Sequence, residues 1–216
     1  MHQKRITIAK TWFVPRMTSK YIAFAMSDMQ KSLPLIVAMR DILKLVKIKK
    51  ELKLLLNSKQ IFVNGKVVRE TNYPVHIFDS LSMPSVSKFY RAVLKDKKIS
   101  FKEISEKESS ERAYKVIGKK ILPGKKIQIN LSEGKNIISS EKIDTDDFIV
   151  MDTLKNKIKS IKQLKEGEEV IITAGKHIGK TGKIKKIEDE GEKKIAEIES
   201  KNEKIRTEAK NLFITN

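Results

Sequence analysis

Apolar residues recur at two different spacings along the chain, and the spacing separates a helical part from a β-rich part. At the start of residues 32–69, apolar residues recur every three or four positions, which predicts an amphipathic helix. The apolar face of this helix consists of Leu35, Met39, Ile42, Leu43 and Val46. A second short amphipathic helix is predicted to begin near Ile48. Asn64-Gly65 then lies between two apolar runs and predicts a hairpin with a type I′ turn, in which both central residues have positive φ.

After residue 72, short alternating segments separated by turn residues predict strands. In the middle part of the chain these strands are Phe89–Leu94, Ile99–Ile104, Tyr114–Ile117, Lys126–Leu131 and Phe148–Met151. We expect Glu103–Ser110 to be a solvated loop or a short exposed helix, and Lys155–Lys165 to be a polar connection. From about Glu168 a new unit begins, and three strands are predicted to close a small barrel there: Ile195–Ile198, Ile205–Glu208 and Leu212–Thr215.

Basic residues exceed acidic ones, and the excess is concentrated in the first third of the chain. The 216 residues include 46 Lys and Arg against 27 Asp and Glu, a formal net charge of +19. Residues 1–72 alone contain 15 basic and 4 acidic residues, a net charge of +11. A field of one sign favours a polyanionic partner such as RNA, DNA or an anionic membrane surface. No apolar run approaches the roughly 20 residues that span a bilayer, and there is no cysteine, so we expect a cytosolic protein without disulfides or thiolate metal sites.

The basic residues of the first predicted helix lie on one face. Arg40, Lys44 and Lys47 follow the same three- and four-residue spacing as the apolar positions and predict a cationic stripe. A helix–helix–hairpin unit with Lys and Arg on one face is suited to binding a phosphate backbone. Residues 32–69 resemble the S-four RNA-binding domain that many translation proteins share.

A glycine-rich loop lies in the last third of the chain, where Val170 and Ile172 lead into glycines at 175, 179 and 182. This segment resembles the KOW motif, a hairpin-and-loop element of small RNA-binding barrels. Glycine allows such a loop to bend tightly and to bring backbone amides close to RNA. The side chains expected to donate to phosphates around this loop are Lys176, His177, Lys180 and Lys183.

The same loop has a second interpretation. Ala174–Thr181 satisfies the loose pattern of a nucleotide-binding phosphate loop, and Phe148–Asp152 has the form of a Walker B strand. A phosphate loop must open a helix, however, and Gly182 follows Thr181 directly, which argues against an NTPase. The acidic cluster at 144, 146 and 147 is interpreted as a polar turn before a strand, because the rest of a cation cage is missing from the sequence. The sequence predicts no catalytic residue, no metal ligand and no cofactor.

Several segments, in their order and spacing, are similar to those of one protein family. They are His2–Arg5 with Trp12, Leu33–Leu35 with Arg40, Phe62–Val67, Tyr73–Val75, Phe78–Met83, Phe89–Arg91, Tyr114–Val116 and the glycine loop at 175–182. Together they resemble the archaeal and eukaryotic small-subunit ribosomal protein S-four-e, and the short chain favours a reduced, archaeal-type member. The resemblance implies a multidomain α+β fold: a basic N-terminal arm over 1–31, an S-four domain over 32–80, a β-rich central domain over 81–165 and a KOW barrel over 166–216.

For function, the resemblance implies a structural, non-enzymatic component of the small ribosomal subunit that is cytoplasmic and supports subunit assembly and translation. Its expected partners are small-subunit rRNA, in particular the 5′ domain, and neighbouring small-subunit ribosomal proteins, with no membrane and no small-molecule substrate. The residues expected to bind RNA are Lys4, Arg5, Lys10, Trp12, Arg16, Arg40, Lys44, Lys47, Lys50, Lys53, Lys59, Asn64, Gly65, Lys66, Lys176, His177, Lys180 and Lys183.

The N-terminal arm and the second helix carry further expectations. The basic residues of the arm are expected to become ordered only on RNA, whereas Trp12 is equally suited to stacking on a base or to a place in the core. Ile48 stands where family members often have a capping residue, so the second helix is expected to depend on tertiary packing or on RNA. The alternative function is an RNA-modifying or nucleotide-hydrolysing enzyme that carries an S-four domain.

Overall fold

A computed structural model of the chain describes residues 3–29, 31–123, 126–139, 143–191, 193–200 and 203–214. The chain divides into two compact units, Met1–Arg112 with Thr153–Lys155 and Ala113–Asp152 with Asn156–Asn216. Both consist mainly of antiparallel strands, and a few short helices occur in the first. The predicted α+β class is therefore confirmed at this level, whereas the four predicted domain boundaries remain a prediction. Among the described residues, no helix has the length and apolar composition that crossing a bilayer requires.

The first unit contains nine strands and three α-helices within its described residues. Its helices are α1 Leu35–Val37, which continues as a π-helix over Ala38–Ile42, α2 Lys49–Asn57 and α3 Glu106–Ser109. Its strands are β1 Gln3–Lys4, β2 Tyr21–Ile22, β3 Leu33–Pro34, β4 Phe62–Val63, β5 Lys66–Val67, β6 Pro74–Val75, β7 Ser80–Met83, β8 Lys88–Lys95 and β9 Lys98–Glu103. β1 pairs with β2 and β3 with β6, while the other five form a sheet in the order β5-β4-β7-β8-β9.

The first helix is shorter than predicted. Its initial turns are buried all round, from Leu35 to Met39, so the expected exposed face is absent there. Lys44 adopts φ +54°, and the turn is closed by the Leu45 N–H donating to the Met39 carbonyl at 2.9 Å. The prediction of a helix up to Val46 is therefore wrong beyond residue 42. Lys44 and Lys47 follow the helix and do not extend a helical stripe from Arg40.

Helix α2 begins after Ile48, whose side chain gives no cap, as expected. Glu51 instead reaches back and accepts from the N–H groups of Lys47 at 2.7 Å and Ile48 at 3.4 Å, which satisfies donors that the helix leaves unpaired. Leu52 and Leu56 are buried and fix the helix to the core. Three lysines at 49, 50 and 53 are exposed on the rest of its surface.

The Asn-Gly hairpin is confirmed by the register of β4 and β5. Phe62 lies opposite Val67 and Val63 opposite Lys66, which leaves a two-residue turn. Asn64 and Gly65 have φ of +50° and +72°, as the type I′ turn requires. Local chemistry alone determines this feature, because few other residue pairs tolerate two consecutive positive φ angles.

The second unit contains two five-stranded sheets. Its strands are β10 Glu111–Leu122, β11 Lys126–Leu131, β12 Asn136–Ser139, β13 Phe148–Asp152, β14 Lys157–Lys162, β15 Glu169–Ile172, β16 Thr181–Glu190, β17 Lys193–Ser200, β18 Glu203–Glu208 and β19 Leu212–Ile214. The sheet orders are β12-β11-β10-β13-β14 and β18-β17-β16-β15-β19. The predicted strands of the middle and last thirds overlap observed strands; Thr215, at the end of the last one, lies outside the described residues.

Two differences from the predicted strands have clear causes. The predicted polar connection over Lys155–Lys165 is wrong, because β14 pairs with β13 through most of it. The pairing of β13 with β14 contains an irregularity in register, which brings both Ile158 and Ile161 to the core although they are three residues apart. The alternation of apolar and polar residues that predicts a strand is therefore not visible in the sequence. The segment Glu103–Ser110 contains α3, which Ser105 caps by accepting from the Glu108 N–H at 3.4 Å.

Each sheet of the second unit has its own core, and β13 contributes to both. Ile149 and Met151 pack with Tyr114 and other residues of the first sheet, whereas Phe148 packs into the core of the second. There the Phe148 ring meets Phe213 edge-on at 5.1 Å between centroids. The alternation of side chains along one strand thus joins the two cores of this unit.

Candidate nucleic-acid interface

Arg40, the first cation of the predicted stripe, is paired with a neighbouring carboxylate. Arg40 donates to both carboxylate oxygens of Asp41, from Nε and Nη2, each at 2.8 Å. This bidentate hydrogen bonding raises the pKa of the Arg40 guanidinium and matches the geometry that a phosphate would use. Arg40 therefore contributes less net charge to a phosphate contact than expected, because Asp41 offsets its positive charge.

Six other lysines near α2 keep their charge. Each is exposed, and in the part of the chain that the structure describes none of them is paired with a carboxylate; they are Lys44, Lys47, Lys50, Lys53, Lys59 and Lys66. Lys50 and Lys53 are three residues apart on α2, where like charges repel by a few tenths of a kcal/mol. A bound polyanion removes this repulsion, so the helix surface is better suited to a complex than to the free protein.

The N-terminal arm makes contacts within the chain, which differs from the expectation that it becomes ordered only on RNA. Arg5 donates from Nε to Ser19 Oγ at 3.0 Å and from Nη1 to the Pro15 carbonyl at 2.8 Å. Arg16 donates from Nη2 to the Ile8 carbonyl at 3.3 Å. These acceptors are neutral and leave both guanidinium charges in place. Lys4 and Lys10 are exposed.

Trp12 occupies a core position. Only 3% of its surface is exposed, so the structure favours the core role over stacking on a base. The backbone N–H of Trp12 donates to the Ala9 carbonyl at 3.2 Å and holds the local turn. An aromatic contact to RNA from this arm needs another residue.

The Asn64 side chain is hydrogen-bonded within the protein, and the expected contact of this turn with RNA stays a prediction. Asn64 Nδ2 donates to Asp79 Oδ1 at 2.5 Å, and Asn64 Oδ1 accepts from the Ser80 N–H at 2.9 Å. A Cβ added at Gly65 would lie 2.9 Å from Leu154 Cδ2, so the turn is also closely covered. Of the three predicted residues here, Lys66 is the exposed one.

Asp79 is the centre of a buried polar network that sequence reasoning did not find. Its carboxylate forms an ion pair with Arg112 and accepts from the His76 N–H at 2.6 Å as well as from Asn64. Burial, the largest influence, works to raise the pKa of the Asp79 carboxyl, but Arg112 and the hydrogen bonds from His76 and Asn64 hold that pKa below its usual range. The network fixes the position of the β4–β5 turn.

The glycine loop between β15 and β16 is closed by its own backbone. The Ile172 N–H donates to the Lys180 carbonyl at 3.0 Å, and the Gly179 N–H donates to the Ile172 carbonyl at 2.8 Å. Gly179 has φ +84°, and a Cβ at Gly182 would lie 2.5 Å from the Glu199 carbonyl oxygen. Glycine at 179 therefore permits the tight bend of the loop, and glycine at 182 permits the close packing of neighbouring strands. The amide contacts with RNA that were expected of these glycines stay a prediction.

The basic side chains of this loop differ in availability. Lys180 forms an ion pair with Glu203, and His177 is half-buried. Lys176 and Lys183 are exposed and, within the described residues, are not paired with a carboxylate. The loop therefore offers two unpaired ammonium groups among the four predicted donors.

The phosphate-loop interpretation fails on the observed geometry. Thr181 begins strand β16 and not a helix, so the N-terminal amides of a helix, which would hold a phosphate, are missing from this position. The proposed Walker B strand is β13, which belongs to the other sheet of the unit. The phosphate-loop pattern, which suggested a nucleotide-hydrolysing enzyme, is therefore not supported by the structure.

The acidic cluster forms the predicted polar turn. Asp144 pairs with Lys119 at 2.8 Å, and Asp146 pairs with Lys115 at 3.0 Å. Asp147 is buried and accepts from the Asp144 N–H at 2.9 Å. Burial lowers the pKa of the Lys115 ammonium, and the neighbouring Asp146 opposes this effect. Each carboxylate has a partner within the protein, so the cluster is accounted for without a cation.

A basic turn that the sequence analysis did not select joins β8 to β9. Lys95, Lys97 and Lys98 are exposed there, and Asp96 and Lys97 have φ of +49° and +64°. The signal in the sequence was a charged Asp-Lys pair between two alternating strands. It was not recognised, because lysines at a hairpin turn are common in any soluble protein.

Two mainly antiparallel units with several exposed, unpaired lysines define a basic α+β protein of the class that binds polyanions. Family models match at two places: the ribosomal family S4e over residues 86–158 and the KOW motif over residues 166–201. The chain belongs to the family of small ribosomal subunit protein eS4, which confirms the family expected from the sequence.

Two relatives and one solved structure show how far the match extends. Small ribosomal subunit protein eS4 of Methanocella arvoryzae is 34% identical over 190 residues, covering 86% of this chain and 80% of the relative. The eS4 protein of Archaeoglobus fulgidus is 32% identical over 187 residues, covering 86% and 79%. The crystal structure of the 30S ribosomal protein S4e from Thermoplasma acidophilum superposes with a TM-score of 0.73 at 29% identity, covering 86% of this chain and 95% of that one.

Proposed function

We propose that this protein is a structural component of the small ribosomal subunit, located in the cytoplasm, where it binds small-subunit rRNA and supports subunit assembly and translation. The observation that carries the proposal is the match to relatives named small ribosomal subunit protein eS4 over about four-fifths of their length. The net charge of +19 supports it physically, because neutralising phosphates releases counterions and favours binding.

The finer architecture is part of the proposal. The first helical segment, helix α2 and the β4–β5 hairpin follow one another in the order expected of an S-four RNA-binding domain. The sheet β18-β17-β16-β15-β19 with its glycine loop fits the KOW barrel. The 5′ domain of the rRNA and neighbouring ribosomal proteins are the partners that the family resemblance suggests.

The phosphate contacts are assigned to those of the predicted RNA-binding lysines that are not paired with a carboxylate within the described residues. They number ten: Lys4, Lys10, Lys44, Lys47, Lys50, Lys53, Lys59, Lys66, Lys176 and Lys183. Arg5, Arg16, Arg40 and Lys180 contribute after exchanging the partners they hold within the protein, and the half-buried His177 is a further candidate donor. If all ten lysines contact phosphates, the logarithm of affinity should fall against the logarithm of salt with a slope of about −7 to −9.

Charge reversal on α2 tests this surface. The variant Lys50→Glu with Lys53→Glu removes two proposed contacts, so the salt slope should become shallower by about 1.4–1.8. The matched control is Lys102→Glu with Lys107→Glu, which makes the same charge change at two exposed lysines of the same unit. Binding to a transcript of the small-subunit rRNA is measured for each variant by filter retention.

The two variants separate a local effect from an effect of net charge. We expect the α2 variant to lose affinity and slope while the control keeps a slope near that of the unchanged protein. Equal losses in both variants would contradict the assignment of α2 to the interface. Thermal unfolding of both variants checks that neither change disturbs the fold.

A further inference from the structure

The two adjacent aromatic residues of the N-terminal arm differ in their exposure to solvent. Trp12 is 3% exposed, whereas Phe13 is 57% exposed. Transfer of a large apolar ring out of water is favourable, so contact with a partner would stabilise an exposed phenylalanine. Phe13 is therefore a candidate for contact with a partner.

The position of Phe13 is fixed by the residues before it. The Ile99 N–H donates to the Thr11 carbonyl at 2.7 Å and attaches the arm to β9. Trp12 adds a buried anchor directly beside Phe13. A ring presented from an anchored backbone loses little conformational freedom when it binds, so more of its contact energy appears as affinity.

One cation lies against this ring, and two more belong to the same turn. Lys98 Nζ lies 4.8 Å from the centre of the Phe13 ring, within the range of a cation–π interaction. Lys95 and Lys97 belong to the same turn and are exposed, and in the described part of the chain no carboxylate pairs with these three lysines. An exposed ring among unpaired lysines has the composition of a stacking platform, in which a base covers the ring and cations reach the adjacent phosphates.

We propose that Phe13 stacks on an unpaired base of RNA while Lys95, Lys97 and Lys98 contact the phosphates beside it. The base must be unpaired, because bases within an RNA duplex are already stacked on their neighbours and the duplex offers no free face to a side chain. The inference rests on the proposed function and deepens it by naming a stacking residue and the kind of RNA segment that it binds. Phe13 thus takes the role that the sequence analysis considered for Trp12.

The test compares Phe13→Leu and Phe13→Tyr with the control Val86→Ala, which shortens an exposed apolar residue elsewhere in the same unit. The probe is a transcript of the small-subunit rRNA 5′ domain, and a fully paired RNA duplex of similar length serves for comparison. Phe13→Leu should weaken binding to the transcript about 5- to 100-fold, because base stacking is lost. Phe13→Tyr retains the ring and should bind like the unchanged protein. The salt slope should not change, since no charge is altered.

The single tryptophan provides an independent readout. Its fluorescence should stay protected from acrylamide before and after RNA binding, because Trp12 remains in the core. Strong quenching of this fluorescence by the bases on binding would mean that Trp12 leaves the core to stack, and it would overturn the inference.

The outcomes separate the inference from the proposed function. If the unchanged protein binds the transcript and Phe13→Leu binds equally well, the stacking site is refuted and the ribosomal role stands. Equal weakening of Phe13→Leu on the transcript and on the paired duplex also refutes stacking on an unpaired base. If the unchanged protein does not prefer the transcript to the duplex, the proposed function fails and the stacking site fails with it.

Discussion

Replacing Asp79 by alanine should strongly destabilise the first unit. Asp79 and Arg112 are 1% and 4% exposed, and the carboxylate also accepts hydrogen bonds from the His76 N–H at 2.6 Å and Asn64 Nδ2 at 2.5 Å. Removing one partner from a buried ion pair costs about 3–5 kcal/mol. For a chain of this size that loss corresponds to a fall of roughly 6–20 °C in the unfolding temperature.

The pH dependence of this loss follows from the direction of the pKa shift. The pKa of Asp79 is lower in the folded protein than in the unfolded chain, so the folded state binds fewer protons between the two pKa values. The stabilisation is complete above the unfolded value of about 4 and disappears as the pH falls through the folded value. The difference between the unchanged protein and Asp79→Ala should therefore be full at pH 7 and should shrink below about pH 4.

Thermal unfolding followed by circular dichroism at several pH values measures both effects. Asp79→Asn keeps the shape of the side chain and an acceptor oxygen, so it should lose less stability than Asp79→Ala. Asp144→Ala is the matched control, because Asp144 belongs to an exposed pair with Lys119 and should leave the unfolding temperature nearly unchanged. A loss for Asp79→Ala no larger than that of the control, or one independent of pH, would refute the reasoning.

Further substitutions test the second unit. Gly182→Ala places a methyl group 2.5 Å from the Glu199 carbonyl oxygen and should cost about 1–3 kcal/mol in denaturant unfolding; an unchanged midpoint would argue against the close packing of β16 on β17. Gly179→Val forces a β-branched residue to φ +84° and should cost about 1–3 kcal/mol by the same measurement, whereas equal stability would contradict the loop conformation. Lys115→Met removes the ammonium group that donates to the Ala209 carbonyl at 2.5 Å and pairs with Asp146. The pH dependence of the unfolding temperature should then lose the contribution of this lysine. Identical pH dependence in the variant and the unchanged protein would count against a buried ion pair.

The local features were predictable because their causes lie within a few residues. Asn64-Gly65 specifies its turn through two positive φ angles, and the alternation in Lys126–Leu131 specifies β11. The pairing of Arg40 with the adjacent Asp41 is equally local. It was not predicted, because contacts along a helix are expected between residues three or four positions apart.

Other features depend on parts of the chain that meet only on folding. The ion pair of Asp79 with Arg112 joins distant segments, and neither residue has a neighbour in sequence that indicates it. The choice between Trp12 and Phe13 as the buried ring depends on the contact of the arm with β9. The first helix was predicted too long, since apolar spacing continues to Val46 although the backbone turns at Lys44.

Binding of the purified protein to a transcript of the small-subunit rRNA across a salt series tests the central claim most directly. An unrelated RNA duplex of similar length is the competitor. We expect the protein to prefer the transcript and to show a steep salt slope, about −7 to −9 if the ten lysines assigned under the proposed function all contact phosphates. Equal affinity for both RNAs at every salt concentration would contradict a specific role in the small ribosomal subunit.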